Sequence, residues 1–228
     1  MVKIFGSPDK NNINQKKILD KPKFDLKYIK FNSDFRKEIL SEIQSDMHVL
    51  DVGKSMRTYY EKINCKSKKT LDINIFDDYP DIQLDLSENH TKDSFELKEK
   101  FDVIICLAVL EHVYNPFIAI DNLRSMLRTG GTLFGYVPFL YHYHAPKNLE
   151  FQDYFRFSKD IISYLLKDFQ SIKIYPVRGR MSSSMHLLFG SFWKRSFEKV
   201  GFNKYLDKFF SDKKNISQCS GYNFIVKK

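Results

Sequence analysis

The sequence has few of the features that mark secreted and membrane proteins. It contains three cysteines in 228 residues, too few and too widely spaced for a disulfide framework or a cysteine metal cluster. Its longest apolar run, residues 103–110, is far shorter than the roughly 20 residues that a membrane-spanning helix needs. The first residues lack the apolar segment of a secretory signal. These absences predict a globular, cytoplasmic protein with no membrane span and no metal site.

Acidic residues are also scarce relative to basic ones. There are 28 of them against 37 lysines and arginines, which gives a net charge of +9. The excess lies near the two ends, within residues 1–37 and 167–214. This balance favours an anionic partner, such as a phosphorylated sugar, a nucleic acid or an acidic lipid surface. A lysine-rich surface that only keeps the protein soluble is the simpler alternative, because clustered arginines are missing.

Short apolar runs alternate with amphipathic segments through the middle of the chain, which is typical of an α/β sheet. The pattern predicts one domain over residues 1–228, with a basic N-terminal arm at 1–32 and insertions at 141–157 and 178–215. Helices are predicted after the Ser33-Asp34 cap and at 116–127, 159–169 and about 192–200. Strands are predicted at 47–52, 69–73, 82–86, 101–107, 132–137, 171–177 and 222–226. The predicted fold is therefore a doubly wound, mostly parallel seven-stranded sheet with helices on both faces.

The stretch from residue 101 to 139 is the most informative part of the sequence. It reads as a buried strand, a loop containing Glu111 and His112, an amphipathic helix, a Gly130-Gly131 turn and a second buried strand. A strand–helix–strand unit of this length is a parallel crossover. Ligands of such sheets bind outside the carboxyl ends of the strands. Glu111 and His112 therefore lie near a candidate site.

Three aspartates stand where strands are predicted to end. Asp51 and Gly53 end the first strand, and a glycine there lets the backbone turn tightly beside a ligand. Asp72 ends the second strand about 20 residues later, a spacing that suits a carboxylate binding ribose hydroxyls. Asp85 ends the third strand, where it could meet the base of a nucleoside. Each aspartate alone would also fit a helix cap or a surface charge, but their order favours a nucleoside ligand.

These motifs resemble the class I S-adenosylmethionine-dependent methyltransferases, in particular the type 11-like group. The resemblance covers about residues 47–169. It rests on VLDVG at 49–53, LDI at 71–73, LDLSE at 84–88, FDVIICLAVLEHV at 101–113, LRSMLRTGG at 123–131 and VPF at 137–139. The run VPFLYHYHAPKNLEFQDYFRFS further resembles a subgroup linked to sugar and surface-polysaccharide modification. The resemblance implies a Rossmann-like methyltransferase fold and a transferase that uses S-adenosyl-L-methionine.

The resemblance also implies where the cofactor binds. The cofactor-binding residues would be Asp51, Gly53 and Lys54 near the methionine part, Asp72 at the ribose, Asp85 near the adenine, and Leu107 and Ala108 beside the sulfonium. His112 would be structural, and the two insertions would form the acceptor side.

Catalytic residues are expected in the first insertion. If the acceptor is a hydroxyl, a base must take its proton, and histidine titrates near neutral pH. His142 and His144 are the predicted bases, with Asp153 orienting one of them and Arg156 binding an anionic part of the acceptor. The two histidines alternate along an extended segment, so only one is expected to face the pocket.

The glycine-rich loop of the family is altered in this sequence. The family pattern D-x-G-x-G-x-G reads DVGKSMR here, with Ser55 and Arg57 at the second and third glycine positions. Lys54 or Arg57 could pair with the carboxylate of the cofactor, or their bulk could fill the pocket. The favoured function is methyl transfer to a small or carbohydrate-type acceptor, phosphorylated or nucleotide-linked. The alternatives are an RNA methyltransferase and a non-catalytic binding protein that keeps the fold.

Overall fold

Eight strands form one sheet in a computed structural model that describes residues 23–24, 32–90, 95–145, 151–193, 202–209 and 217–228. They are β1 Lys23–Phe24, β2 His48–Val52, β3 Ser67–Asp72, β4 Ile82–Gln83, β5 Phe101–Leu107, β6 Leu127–Pro138, β7 Ser171–Val177 and β8 Gly221–Lys227. Their order across the sheet is β1-β7-β8-β6-β5-β2-β3-β4. Strand β8 is antiparallel to β6 and β7, and the other pairs are parallel. The predicted mostly parallel sheet is confirmed, and β1 adds a short edge strand from the basic arm.

The described residues contain five α-helices: α1 Asn32–Glu42, α2 Pro116–Met126, α3 Lys159–Leu165, α4 Arg180–Trp193 and α5 Phe202–Phe209. Helix α4 bends at Gly190, whose backbone is not helical. The insertion at 178–215 was predicted to be mostly irregular and instead contains α4 and α5. Three consecutive serines near the start of α4 weaken the helical pattern of the sequence there. The predicted helix at about 192–200 falls mostly outside the described residues.

Some predicted boundaries also need correction. Helix α2 begins as predicted, with the Asn115 side chain accepting a hydrogen bond from the Ile118 amide at 3.3 Å. It ends at Met126, and β6 begins before the predicted Gly130-Gly131 break because Leu127 already pairs with Phe101 of β5. The third predicted strand is shorter than expected, since β4 covers only Ile82–Gln83. Within the described part of the chain, no helix has the length and apolar composition needed to cross a membrane.

Alternate residues of the central strands pack into two cores, one on each face of the sheet. Leu50 of β2 and Ile104 of β5 join one core together with Leu123 of α2. Val49, the neighbour of Leu50, points the other way and joins a second core with Phe35 of α1. Full burial of each such side chain contributes about 1.5–3 kcal/mol. These two cores hold the strands side by side and so fix the positions of the loops at their carboxyl ends.

Candidate active site

A cavity of about 700 Å³ opens beyond the carboxyl ends of β2, β3 and β5. Its size suits a small-molecule ligand. Five residues of the predicted cofactor site line it, namely Gly53, Asp72, Asp85, Leu107 and Ala108. On its other side it is lined by His112, His144, Phe151, Gln152 and Tyr154. The cavity therefore joins most of the predicted cofactor site to part of the histidine-rich insertion.

The loop after β2 is shaped from below by Asp51. Gly53 has a φ of +67°, and a Cβ built there would lie 2.9 Å from Val109 Cγ2. The buried Asp51 carboxylate accepts hydrogen bonds from the Ser55 amide at 2.9 Å, the Ser55 hydroxyl at 2.6 Å and the Met56 amide at 3.0 Å. Burial nonetheless raises the pKa of Asp51 to about 6. Asp51 was predicted to bind the cofactor, but it lies beneath the loop and does not line the cavity.

The two basic residues of this loop point to different places. Lys54 Nζ lies 5.5 Å from the centre of the Tyr79 ring, and Lys54 does not line the cavity. Arg57 does line it. Arg57 occupies the third glycine position of the family and has a φ of +51°, a conformation that glycine adopts far more readily. The loop thus adopts a glycine-like turn at this position despite the substitution, and Arg57 replaces Lys54 as the candidate partner of a cofactor carboxylate.

Asp72 and Asp85 both line the cavity. Asp72 accepts hydrogen bonds from the Asn74 amide at 3.1 Å and from the Tyr79 hydroxyl at 2.7 Å. Burial and this bond to Asp72 raise the pKa of Tyr79 above its ordinary value. Asp85 accepts a hydrogen bond from the Ser87 amide at 2.7 Å and lies two residues beyond β4, not within it as predicted. Each carboxylate oxygen can accept two hydrogen bonds, so both side chains can also bind ligand hydroxyls.

The wall between the two ends of the cavity is the end of β5. Leu107 is the last residue of the strand, and Ala108 follows it with a φ of +58°. The Ala108 amide donates to the Tyr136 carbonyl at 3.0 Å, which holds this unusual backbone in place. A non-glycine residue in such a conformation costs about 1–3 kcal/mol.

Of the two predicted bases, His144 lines the cavity and His142 does not. His142 stacks on Tyr141 with 4.3 Å between ring centres, and burial together with the nearby His144 lowers its pKa. The His144 Nε2 atom lies 3.4 Å from Glu111 Oε1, and its Nδ1 atom lies 3.2 Å from Asp153 Oδ2. The contact with Glu111 raises the pKa of His144, with a further contribution from Asp153.

Asp153 and Arg156 hold the insertion together. The Asp153 carboxylate accepts from both terminal nitrogens of Arg156, and its side chain is fully buried. The other three N–H groups of Arg156 donate to the carbonyls of Tyr141, His142 and Phe155. Although burial opposes the shift, the bonds from Arg156 lower the pKa of Asp153 to about 2. Because all five guanidinium N–H groups are used, Arg156 is not placed to bind an anionic acceptor as predicted.

Glu111 is the residue whose surroundings the sequence did not reveal. The residue is fully buried, and neither carboxylate oxygen accepts a regular hydrogen bond from the described residues. Its nearest basic atoms are His144 Nε2 and, at 3.8 Å from Oε1, His112 Nε2. Its backbone carbonyl accepts from the Tyr154 amide at 2.8 Å. The sequence placed Glu111-His112 near the site, but only the folded chain brings His144 against it.

Solved methyltransferases share this fold. An S-adenosylmethionine-dependent methyltransferase from Mesorhizobium loti superposes with a TM-score of 0.51 at 10% identity, covering 85% of this chain and 95% of that one. Phosphoethanolamine N-methyltransferase 2 of Haemonchus contortus, solved with phosphomonomethylethanolamine and S-adenosylhomocysteine, superposes with a TM-score of 0.51 at 11% identity, covering 86% of this chain and 53% of that one. The sheet and its helices are thus those of the methyltransferase fold.

The chain belongs to the methyltransferase domain family, which it matches over residues 24–204. This membership confirms the resemblance to class I S-adenosylmethionine-dependent methyltransferases, the predicted enzyme class and the predicted cofactor. A ubiquinone biosynthesis O-methyltransferase from Haemophilus ducreyi is 31% identical over 97 residues, which are 42% of this chain and 39% of that protein. The chain therefore spans about two fifths of the length of this curated relative.

Proposed function

We propose that the protein transfers the methyl group of S-adenosylmethionine to a hydroxyl of a small or carbohydrate-type acceptor that is phosphorylated or nucleotide-linked. The observation that carries this proposal is the single cavity that joins Asp72 and Asp85 to His144. The Haemophilus ducreyi relative is named as an O-methyltransferase, and the Haemonchus contortus enzyme was solved with a small phosphorylated amine. Both support a small acceptor, and the net charge of +9 suits an anionic one.

The cofactor would lie along the strand ends. Asp72 would accept hydrogen bonds from the ribose hydroxyls, and Asp85 would lie near the adenine. The backbone of Gly53 would approach the methionine part, and Arg57 would pair with its carboxylate. Ala108 would then border the sulfonium, between the cofactor and the histidine-rich insertion.

The acceptor would enter from the side of His144. Its hydroxyl oxygen attacks the methyl carbon, the carbon–sulfur bond breaks with its electron pair going to sulfur, and the hydroxyl proton passes to His144 Nε2, where the Glu111 carboxylate 3.4 Å away stabilises the positive charge. Such a displacement depends mainly on holding the two reacting atoms in line. His144 is therefore proposed as the residue that contacts the acceptor hydroxyl, and Asp153 as a residue that positions His144.

The cysteines support the predicted location. None of the three cysteines, Cys65, Cys106 and Cys219, is in a disulfide bond in the described part of the chain. Thiols stay reduced in a reducing compartment, so we propose that the reaction takes place in the cytoplasm.

Calorimetry and a labelled-methyl assay test this function. In calorimetry, one molecule of S-adenosylmethionine should bind to each chain. In the transfer assay, the labelled methyl group should appear in sugar phosphates or nucleotide sugars. His144→Ala should lower the transfer rate by about 100-fold or more, the usual contribution of a group that handles a proton. The matched variant His142→Ala should change it only a few-fold.

Two outcomes would replace this function with an alternative. An absence of binding at millimolar S-adenosylmethionine would favour the non-catalytic binding protein. Label appearing only in total RNA would favour the RNA methyltransferase.

A further inference from the structure

We propose that Glu111, His112 and His144 form a binding site for a divalent metal ion, of which zinc is the best match, at the acceptor end of the cavity. One ligand atom from each residue lies within 4.8 Å of the other two. Glu111 Oε1 is 3.4 Å from His144 Nε2 and 3.8 Å from His112 Nε2. Tetrahedral zinc with bonds of about 2.0–2.1 Å separates neighbouring ligand atoms by about 3.4 Å. Two of the three separations are therefore close to that value, and the third, between the two histidines, lies within 4.8 Å.

The outer contacts of both imidazoles leave their Nε2 atoms free for a metal ion. His112 Nδ1 lies 2.6 Å from the Gln152 carbonyl oxygen, an acceptor, so Nδ1 carries the proton. His144 Nδ1 faces two acceptors, the Asp153 carboxylate at 3.2 Å and the His142 carbonyl at 3.3 Å. Histidines that bind metals donate their other ring N–H to a carboxylate or a carbonyl in this way. Both histidines therefore already have the outer contact that a metal-binding histidine makes.

The third ligand is a buried carboxylate that lacks hydrogen-bond donors. Glu111 is 0% exposed, and neither of its oxygens accepts a regular hydrogen bond from the residues that the structure describes. Burial of an ionised carboxylate requires a cation or several donors beside it. A proton on His144 would satisfy one oxygen and leave the lone pair of His112 Nε2 facing the carboxylate. A divalent ion between the three atoms would satisfy all of them.

The ligand types indicate the kind of ion. Two imidazole nitrogens and one carboxylate oxygen form a set that binds Zn²⁺, as in catalytic zinc sites with an open fourth position. His112 and His144 both line the cavity, so that position would face the acceptor. An acceptor hydroxyl would occupy it, and the ion would ease the loss of its proton to solvent, in place of the proton transfer to His144 that applies without the ion. This role rests on the proposed function, whereas the binding of the ion rests on the geometry alone.

Zinc titration of the metal-free, full-length chain tests the site. Calorimetry should show one tightly bound zinc ion per chain. His144→Ala and Glu111→Gln should each weaken zinc binding by about 100-fold or more, and Asp153→Asn by about 10–100-fold, as outer partners of metal-bound histidines do. The control is His48→Ala, which should bind zinc as the wild type does. His48 begins β2, so it lies at the amino ends of the strands and not at the carboxyl ends where the cavity opens, and its ring contacts the Ser67 hydroxyl.

Circular dichroism of each variant separates loss of the site from loss of the fold. Glu111 is buried, so His144→Ala, whose side chain is 26% exposed in the wild type, is the decisive variant. Absence of zinc binding, or equal binding by His144→Ala, would overturn the site. A parallel titration with S-adenosylmethionine separates the two proposals. Cofactor binding without zinc binding would reject the metal site alone, and zinc binding without cofactor binding would reject the proposed function alone.

Discussion

The two ends of the cavity are built in different ways. At the cofactor end, Asp72 is the last residue of β3 and Asp85 lies two residues beyond β4, and their hydrogen-bond donors lie no more than seven residues away in the chain. At the acceptor end, Glu111 meets His144, which comes only after α2 and β6. The first end depends on short loops and the second on a long insertion that is packed against the sheet. Substitutions at the two ends should therefore differ in whether they affect ligand binding or stability.

The largest loss of stability is expected when the Asp153–Arg156 ion pair, which holds the insertion together, is removed. Asp153→Ala should lower the free energy of unfolding by about 3 kcal/mol, because it leaves the guanidinium of Arg156 without its carboxylate. The partial exposure of Arg156 keeps the loss near the lower end of the range for buried pairs. Chemical denaturation measures this, with Asp72→Ala as the control from the cofactor end. If Asp153→Ala and Asp72→Ala lost the same free energy of unfolding, the contrast in stability between the two ends of the cavity would be wrong.

Asp51 should make the free energy of unfolding depend on pH in a distinctive way. Burial raises its pKa from 3.8 to about 6, so the folded protein holds a proton that the unfolded chain releases between these values. The free energy of unfolding should therefore fall as pH rises from about 4 to 6, by up to about 3 kcal/mol. Asp51→Asn cannot ionise and should lack this component. The difference between wild type and variant, followed by denaturation across this range, isolates it, and a constant difference would contradict the shift.

The same contrast explains what could be predicted from the sequence. Strand ends are visible as apolar runs that stop at a polar residue, so Gly53, Asp72 and Asp85 could be placed on the cavity. The inward position of Asp51 could not, because it depends on the amides of the loop folding over the carboxylate. The pairing of Glu111 with His144 depends on the path of the insertion, which no local pattern encodes.

Asp72 should control cofactor affinity with little effect on stability. Asp72→Ala should weaken S-adenosylmethionine binding by about 1–3 kcal/mol, as expected for the loss of charge-assisted hydrogen bonds to the ribose. The matched variant is Tyr79→Phe, which removes only the hydroxyl that donates to the Asp72 carboxylate. Tyr79→Phe should weaken S-adenosylmethionine binding by less than about 1 kcal/mol. Calorimetry measures both, and unchanged affinity in a folded Asp72→Ala protein would contradict the assignment.

The smallest of the expected free-energy changes, a gain in stability, comes from Arg57→Gly, which restores a glycine of the family pattern in the altered loop. Arg57 has a φ of +51°, so Arg57→Gly should relieve strain of about 1–2 kcal/mol. The greater freedom of glycine in the unfolded chain offsets part of this, leaving a gain in stability of about 0.5–1 kcal/mol. Cofactor affinity should fall at low salt, because the partner of the carboxylate is lost. Lys54, with a φ of +45° but no place on the cavity lining, supplies the control. Thermal unfolding should show a similar gain in stability for Lys54→Gly, and calorimetry should show an unchanged affinity for S-adenosylmethionine. Equal affinities of Arg57→Gly and Lys54→Gly would show that Arg57 is not part of the cofactor site.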